Sequence, residues 1–493
     1  MTMSLIDELL TYTNILSDLV MVIVLFDVVA LFIMLFLEKY DPRVFFTWLI
    51  VLLLLPPVGF ILYMYMGCTL YNRRKFVPKN ITDSQLMKAV ETQSDILERD
   101  FENNPDLGDV YRMAKTMDRA GAWSYSVRNS VTLFTEGNDK ITSLMEDIRE
   151  AKESILIEYY IIRNDHTGNI LMDLLIRKVQ EGVEVRLLTD GFGIGKGPKE
   201  GIFRFRNAGG HYAMFHSSLN LMLSPKKNNR NHRKIAVIDG KIGYCGGFNI
   251  GDEYLGDGPL GHWRDASVRI VGPGIIPLAV RFSADWQYSS RRDPMRPIDR
   301  YICRDIPLDG DVRMQTVSGG PDTMPNNPVQ VQYLSMMTAA KRRLYITTPY
   351  LVPDEAMVTA LGNAVAAGVD VRILIPDKKD HMFVYWNNMT YSKELMDRGV
   401  RIWRYKDGFI HEKMMLMDDV FCSVGSANLD HRSLGLNFET NVMMYSEEIT
   451  SMAANRFLKD LESSYEYTAE EFDRRTIGMR IRMALSRHLI LLA

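Results

Sequence analysis

The chain opens on two long apolar runs. From Leu19 to Leu37 every position except Asp27 is apolar, and from Val44 to Met66 no charged residue occurs. Each run is long enough to cross a bilayer core as a helix, and the buried helix of a soluble protein rarely stays charge-free over such a length. Only Glu38-Lys-Tyr-Asp-Pro-Arg43 separates them. The pattern therefore predicts a two-helix transmembrane hairpin over residues 1–71, with both its ends on one face. Arg73, Arg74, Lys75 and Lys79 follow the second run, whereas residues 1–18 carry no basic group. That bias predicts multi-pass insertion with both termini and the rest of the chain on the cytoplasmic side of a bacterial membrane. A cleaved signal peptide fits poorly, for want of a basic start and a small-residue cleavage site. Asp27 at mid-span calls for a proton or a partner. Pro56-Pro57, at similar depth, frees helix carbonyls for a protonated Asp27 to bond, which would fasten the hairpin.

Beyond a polar, charged linker (72–125), one order of elements occurs twice. Ile155-Leu-Ile-Glu-Tyr-Tyr-Ile-Ile162 reads as a buried strand, Ile170–Gln180 as a helix and Gly182–Asp190 as a second strand. Leu344–Leu351, Ala356–Ala367 and Gly368–Pro376 repeat the series. Strand, helix, strand implies a parallel crossover in each copy. The fold class is α/β: the hairpin, then a pseudo-twofold pair of lobes at 126–288 and 329–473. A Pro-, Gly-, Asp- and Arg-rich connection (289–328) joins the lobes, and a basic apolar tail (474–493) ends the chain.

Charge sharpens this division. The 493 residues carry 58 basic and 61 acidic side chains, a net charge of −3. Residues 1–70 contribute only Lys39 and Arg43 against Asp7, Glu8, Asp18, Asp27, Glu38 and Asp41, so the remainder is nearly neutral. An overall basic groove for nucleic acid is not expected. The 4 cysteines, Cys68, Cys245, Cys303 and Cys422, show no C-x-x-C spacing. They read as reduced thiols rather than a disulfide scaffold or a zinc site.

The chemistry lies in one constellation, present once per lobe. His232-Arg-Lys234 is followed by Asp239 and Gly246-Gly-Phe-Asn249; His411-Glu-Lys413 is followed by Asp418 and Gly425-Ser-Ala-Asn428. With strands at 235–238 and 414–417, His and Lys two residues apart emerge on one face. Asp239-Gly240 and Asp418-Asp419 read as hairpin turns, after which the chain returns to bring Asn249 and Asn428 beside the His and Lys. Each lobe so supplies an imidazole, an ammonium and an amide donor, the groups needed around an anionic phosphoryl centre. Aligning Trp263-Arg-Asp265 with Asn437-Phe-Glu439 offers Asp265 and Glu439 as carboxylates that orient the imidazoles. Asp239 and Asp418 are the other candidates for that role.

The paired H-x-K-x4-D motifs place the chain in the phospholipase D superfamily by resemblance. The hairpin, Gly246-Gly-Phe-Asn-Ile-Gly-Asp-Glu-Tyr-Leu-Gly256, Trp263-Arg-Asp265 and Asn428-Leu-Asp-His-Arg-Ser-Leu434 resemble bacterial cardiolipin synthases. The resemblance implies a ping-pong phosphatidyl transfer between two phosphatidylglycerol molecules through a phosphatidyl-histidine. It makes His232 the nucleophile and His411 the acid and base. It makes Lys234, Lys413, Asn249 and Asn428 the phosphate ligands, and completes the catalytic set with Asp239 and Asp418. No cofactor and no metal are implied, and the partners are phosphatidylglycerol and anionic membrane lipids, not nucleic acid. Water as acceptor would instead give a phospholipase D-type hydrolase, and serine or another alcohol a different phosphatidyltransferase.

Four features stand apart from this reading. His211 and His216 make at most half of a metal site. Gly191-Phe-Gly-Ile-Gly-Lys-Gly197 lacks the order of a phosphate loop and reads as a turn bordering the cleft. Lys226–Lys234 is a basic run that is either solvated or attracts anionic head groups. The tail from Arg474 is expected either in the bilayer interface or packed on its own lobe.

Overall fold

The segments that the repeat marks out form two sheets flanked by helices. The computed structural model describes residues 2–37, 42–67, 94–121, 123–216, 229–290, 292–324 and 326–489. In the first lobe Ser154–Tyr159 and Glu184–Asp190 pair in parallel, with helix His166–Gln180 between them. The helix begins where the Asp165 side chain accepts from the Gly168 amide, and Gly182, with φ of 90°, turns the chain into the next strand. Glu184–Asp190 continues in parallel to His211–Phe215. On the other edge Ser154–Tyr159 meets Lys234–Ile238 antiparallel, and Ile242–Gly246 and Trp263–Val271 follow. The second lobe repeats the plan. Arg343–Thr347, Asp370–Pro376 and Arg401–Tyr405 are parallel, and Met414–Met417, Phe421–Gly425 and Asn437–Tyr445 are added antiparallel.

The lobes share a core. Leu156, Ile235 and Val268 of the first pack in one cluster with Leu416, Val424 and Val442 of the second, all nearly free of solvent. Strand Trp123–Glu136 joins the sheets, pairing with Val312–Gly319 at its start and with Trp263–Val271 further on. Two expectations change here. Within 72–125, expected as a linker, Ser94–Asn103 and Gly108–Arg119 are helices, and Val110, Met113, Ala114 and Met117 are buried in the second lobe's core. Their apolar residues recur at helical spacing among many charges, so composition hid an amphipathic helix. Within 289–328, Val312–Gly319 is a buried strand of the second sheet.

At the N-terminus one helix, Thr2–Phe32 continuing through Ile33–Leu37, contains a stretch, Ser17–Phe36, long and apolar enough to cross a membrane. The second apolar run is not one continuous span. It divides into Pro42–Leu54 and Val58–Leu62 around Pro56-Pro57, because proline lacks the N–H that would continue the ladder and clashes with the preceding turn. Ala30 and Met34 pack against Trp48, Leu52 and Tyr63, while Leu19, Leu25, Phe36, Leu53 and Leu54 face outward. Asp27 Oδ1 is buried without a hydrogen-bond partner among the described residues. Most of the expected interhelical turn (38–41), Cys68, the basic flank 73–79 and residues 226–228 of the Lys226–Lys234 run lie outside the described residues. In the tail, helix Ile477–Leu489 packs on Met382–Met396, with Met483 buried and Asn387 donating to the Ser486 carbonyl at 3.0 Å.

The motif aspartates act as turn ties. Asp239 (φ 50°) and Asp418 (φ 52°) take the left-handed conformation the reversals require. Asp239 accepts from the amides of Lys152, Glu153 and Ser154 at 2.8–2.9 Å, and Asp418 from those of Lys341, Arg342 and Arg343 at 2.7–3.2 Å. Asp239→Asn is expected to cost about 1–3 kcal/mol of stability and to leave the chemistry intact in the molecules that remain folded. Denaturant unfolding alongside turnover per folded molecule measures both.

Candidate active site

Each motif histidine sits at a strand junction tied to the opposite lobe. Arg230-Asn231 pairs in parallel with Asn437-Phe438, and the His232 amide donates to the Phe438 carbonyl at 2.9 Å. Phe409-Ile410 pairs likewise with Trp263-Arg264, and the His411 amide donates to the Arg264 carbonyl at 2.6 Å. The next residue on each receiving strand is a carboxylate. His232 Nδ1 therefore meets Glu439 at 3.0 and 3.1 Å, and His411 Nδ1 meets Asp265 at 2.7 Å. Between the two pairs of candidates the sequence left open, the structure selects Asp265 and Glu439 as imidazole partners, and the pairing is crossed. Asp239 and Asp418, expected in the catalytic set, lie at the far end of the motif strand. Seven residues at about 3.3 Å each separate them from the histidines by roughly 23 Å along extended chain, with their oxygens committed to backbone amides.

Both carboxylates are fully buried and further supported. Glu439 accepts from Ser426 Oγ at 2.5 Å and from Asn437 Nδ2 at 3.2 Å; Asp265 accepts from the Ala266 amide at 2.8 Å. The matching position to Ser426 is Gly247, where a Cβ would fall 2.0 Å from Asp265 Oδ1. Glycine there is a steric requirement of the approaching carboxylate.

Lys234 Nζ donates to the His232 carbonyl at 2.6 Å, and Lys413 Nζ lies 2.7 and 3.0 Å from the two ring nitrogens of His411. Asn249 accepts from the Ile161 amide at 3.2 Å and donates to Tyr254 at 3.2 Å; Asn428 Oδ1 is buried without a partner among the described residues. Sequence reasoning missed the aromatic walls. Tyr160 stands edge-on to His232 at 5.0 Å, while Trp263 and Tyr350 lie 5.1 and 6.4 Å from His411. A tyrosine at the end of the first strand of each repeat was the available signal. The glycine turn borders this wall: Gly193 packs on Tyr160, and Asp190 accepts from the Phe192 and Gly193 amides. His211 faces Asp293 at 2.7 Å, and His216 faces Asn229 and Tyr288, which accounts for both without a metal.

Burial dominates the electrostatics. It lowers His411 to about 4, with Lys413 adding to the effect and Asp265 opposing it. It also lowers His232, against the pull of Glu439. Burial holds Lys234 at about 7 and Lys413 at about 8, in both cases against nearby carboxylate charge. For Asp265 and Glu439 burial acts upward but is outweighed, by Lys413 and His411 in one case and by His232 and Lys234 in the other, so both stay ionised. Two lysines and two histidines thus converge on two carboxylates, and burial weakens the cationic forms further than the carboxylates restore them. An anionic phosphodiester supplies further negative charge and would restore the ammonium and imidazolium forms.

A family model described as cardiolipin synthase, PLD-like domain, matches twice, at residues 144–272 and 333–461. The chain is 41% identical over 458 residues to a cardiolipin synthase of Oceanobacillus iheyensis, covering 92% of this chain and 94% of that one. It is 38% identical to a cardiolipin synthase of Staphylococcus aureus, with 92% of each covered. Among solved structures, a phosphatidylserine synthase of Haemophilus influenzae Rd KW20 superposes with a TM-score of 0.59 at 13% identity, covering 78% of this chain and 100% of that one, a likeness of fold.

The lowered value of His411 fixes a pH dependence of stability. Its folded value of about 4 lies below the ordinary 6.5, so on acidification the unfolded chain takes up the proton first. Stability contributed above pH 6.5 is lost as pH falls towards 4, with a slope of at most about 1.4 kcal/mol per unit. The denaturation midpoint should fall more between pH 7 and 5 in the parent than in His411→Gln.

Proposed function

The chain belongs to the cardiolipin synthase family of phospholipase D-like proteins, and on that footing we propose that it joins two phosphatidylglycerol molecules through a phosphatidyl-histidine. It is a phosphatidyltransferase acting on phospholipids, and a bacterial membrane protein. The observation that carries the mechanism is the crossed pair of carboxylate-held imidazoles with a lysine beside each.

His232, oriented by Glu439 through Nδ1, leaves Nε2 as the attacking atom. Nε2 bonds to the phosphorus of the first phosphatidylglycerol as the bond to the glycerol oxygen breaks. His411, brought to the imidazolium form by the bound anionic phosphodiester, gives that oxygen its Nε2 proton and becomes neutral, a transfer typically worth 10²- to 10⁴-fold. His411 then accepts the proton of a second phosphatidylglycerol's head-group hydroxyl. The new oxygen–phosphorus bond forms as the phosphorus–nitrogen bond to His232 breaks, and cardiolipin results. Lys234, Lys413, Asn249 and Asn428 steady the phosphoryl oxygens, and one diester replaces another. Assigning the nucleophile to His232 follows the family resemblance. The exposed apolar helices at the N-terminus are read as a hairpin holding this site at the cytoplasmic face, where the substrate head groups lie.

Purified protein given phosphatidylglycerol alone, without nucleotide or metal, is expected to yield cardiolipin and glycerol. His232→Ala is expected to lose at least 10²-fold of that rate and all acid-quenched lipid adduct. Phosphatidic acid as the only product would establish hydrolysis instead. An adduct trapped on His411 would reverse the two roles.

A further inference from the structure

The two wings of the cleft differ in side-chain chemistry, although the repeat makes them equivalent in backbone. Arg230 pairs with Asn437 where, in the other lobe, Phe409 pairs with Trp263. Four residues beyond the paired asparagines stand Glu253 after Asn249 and Arg432 after Asn428. Glu253 is neutralised by Arg163 at 2.7 Å. The wing beside His232 carries two guanidinium groups, with Asp190 near Arg230 and Asp430 near Arg432, and the wing beside His411 is aromatic.

Arg230 is only 6% exposed, stacks its guanidinium 4.8 Å from the Phe192 ring, and leaves Nη1 buried without a hydrogen-bond partner among the described residues. The neighbouring carboxylate, Asp190, gives its oxygens to the Phe192, Gly193 and Asn231 amides. A buried guanidinium with an unused N–H is costly unless an anion completes it. Arg432 works against the charge on Arg230, and both act on the Tyr160 hydroxyl beside His232.

The geometry points to a second anion subsite, at Arg230 and Arg432, that holds the phosphodiester of the acceptor lipid which takes no part in bond making. The inference rests on the phosphatidyl-transfer reading above. The donor brings one phosphodiester, which the His–Lys pairs engage. The acceptor brings another, three carbons from its attacking hydroxyl. Arg230 precedes His232 by two residues, roughly 7 Å along extended backbone, a separation of the same order as a glycerol with a phosphate at each end. Arginine suits this task because its fork binds phosphate oxygens in pairs. A lipid acceptor would so be selected over water or free glycerol by its charge.

Two reactions of the full-length protein in phosphatidylglycerol–detergent micelles separate this subsite from the reacting centre. Cardiolipin formation uses an acceptor bearing a phosphate. Exchange of labelled glycerol into phosphatidylglycerol reverses the first step and uses an acceptor bearing none. Arg230→Gln is expected to lower the ratio of cardiolipin formation to glycerol exchange at least tenfold, Arg432→Gln to lower it in the same sense, and Arg230→Lys to keep most of it. An unchanged ratio, even with both rates reduced, would overturn the subsite and assign Arg230 to the donor phosphate or to folding. If Arg230→Gln fails to fold, the ratios of Arg230→Lys and Arg432→Gln decide by the same criterion. Failure of the parent to make any cardiolipin from phosphatidylglycerol would instead sink the reading on which the subsite rests, and is seen without any variant.

Discussion

Each imidazole is held by a carboxylate from the other lobe, and the rest of the architecture follows from that crossing. His232 with Glu439, and His411 with Asp265, sit on strands whose backbones are hydrogen-bonded across the lobe boundary. Neither lobe alone holds a complete site. The boundary is accordingly built as core, not as a hinge. Arg233 reaches from the first motif to Asp285 at 2.6 Å and to Thr440 of the second lobe at 3.0 Å. Arg264 reaches from the first lobe to Asp460 at 2.6 Å and to Glu412 at 3.5 Å. Breaking a buried pair by removing one partner costs roughly 3–5 kcal/mol, so these charges fix one register between the lobes. The variable middle residue of the motif, Arg233 in one copy and Glu412 in the other, belongs to this lock.

The same crossing concentrates charge in a chain whose total is only −3. Bulk electrostatics contribute little to substrate choice here. On the phosphatidyl-transfer reading, the anion is met by buried lysines whose charge burial weakens, with Lys234 at about 7 and Lys413 at about 8. Desolvation makes the pocket selective: a bound phosphodiester gains more where water is excluded, and a neutral occupant restores none of the suppressed charge.

Much of this was legible in the amino-acid sequence because both repeats obey strong local rules. Apolar runs bounded by turn residues marked the parallel crossovers, and the spacing from His232 to Asn249 and from His411 to Asn428 marked strand, turn and return. The crossing was not legible, since the alignment that equates Asp265 with Glu439 is equally compatible with partners in the same lobe. Asp239 and Asp418 stand in the motif for a reason the spacing does not distinguish from catalysis, the left-handed turn tied to three amides. Helix Gly108–Arg119 and strand Val312–Gly319 were hidden by polar and turn-rich surroundings, and only their tertiary partners identify them. The interruption of the second apolar run at Pro56-Pro57 follows from local chemistry, which composition over a window averages away.

The crossed pairing is tested most directly by nitrogen NMR of protein carrying labelled histidine. Nine histidines are present, and single His→Gln variants assign the two that matter. Glu439→Gln should move the Nδ1 resonance of His232 and leave that of His411 in place, and Asp265→Asn should do the reverse. A shift of His411 on Glu439→Gln, with His232 unmoved, would contradict the account.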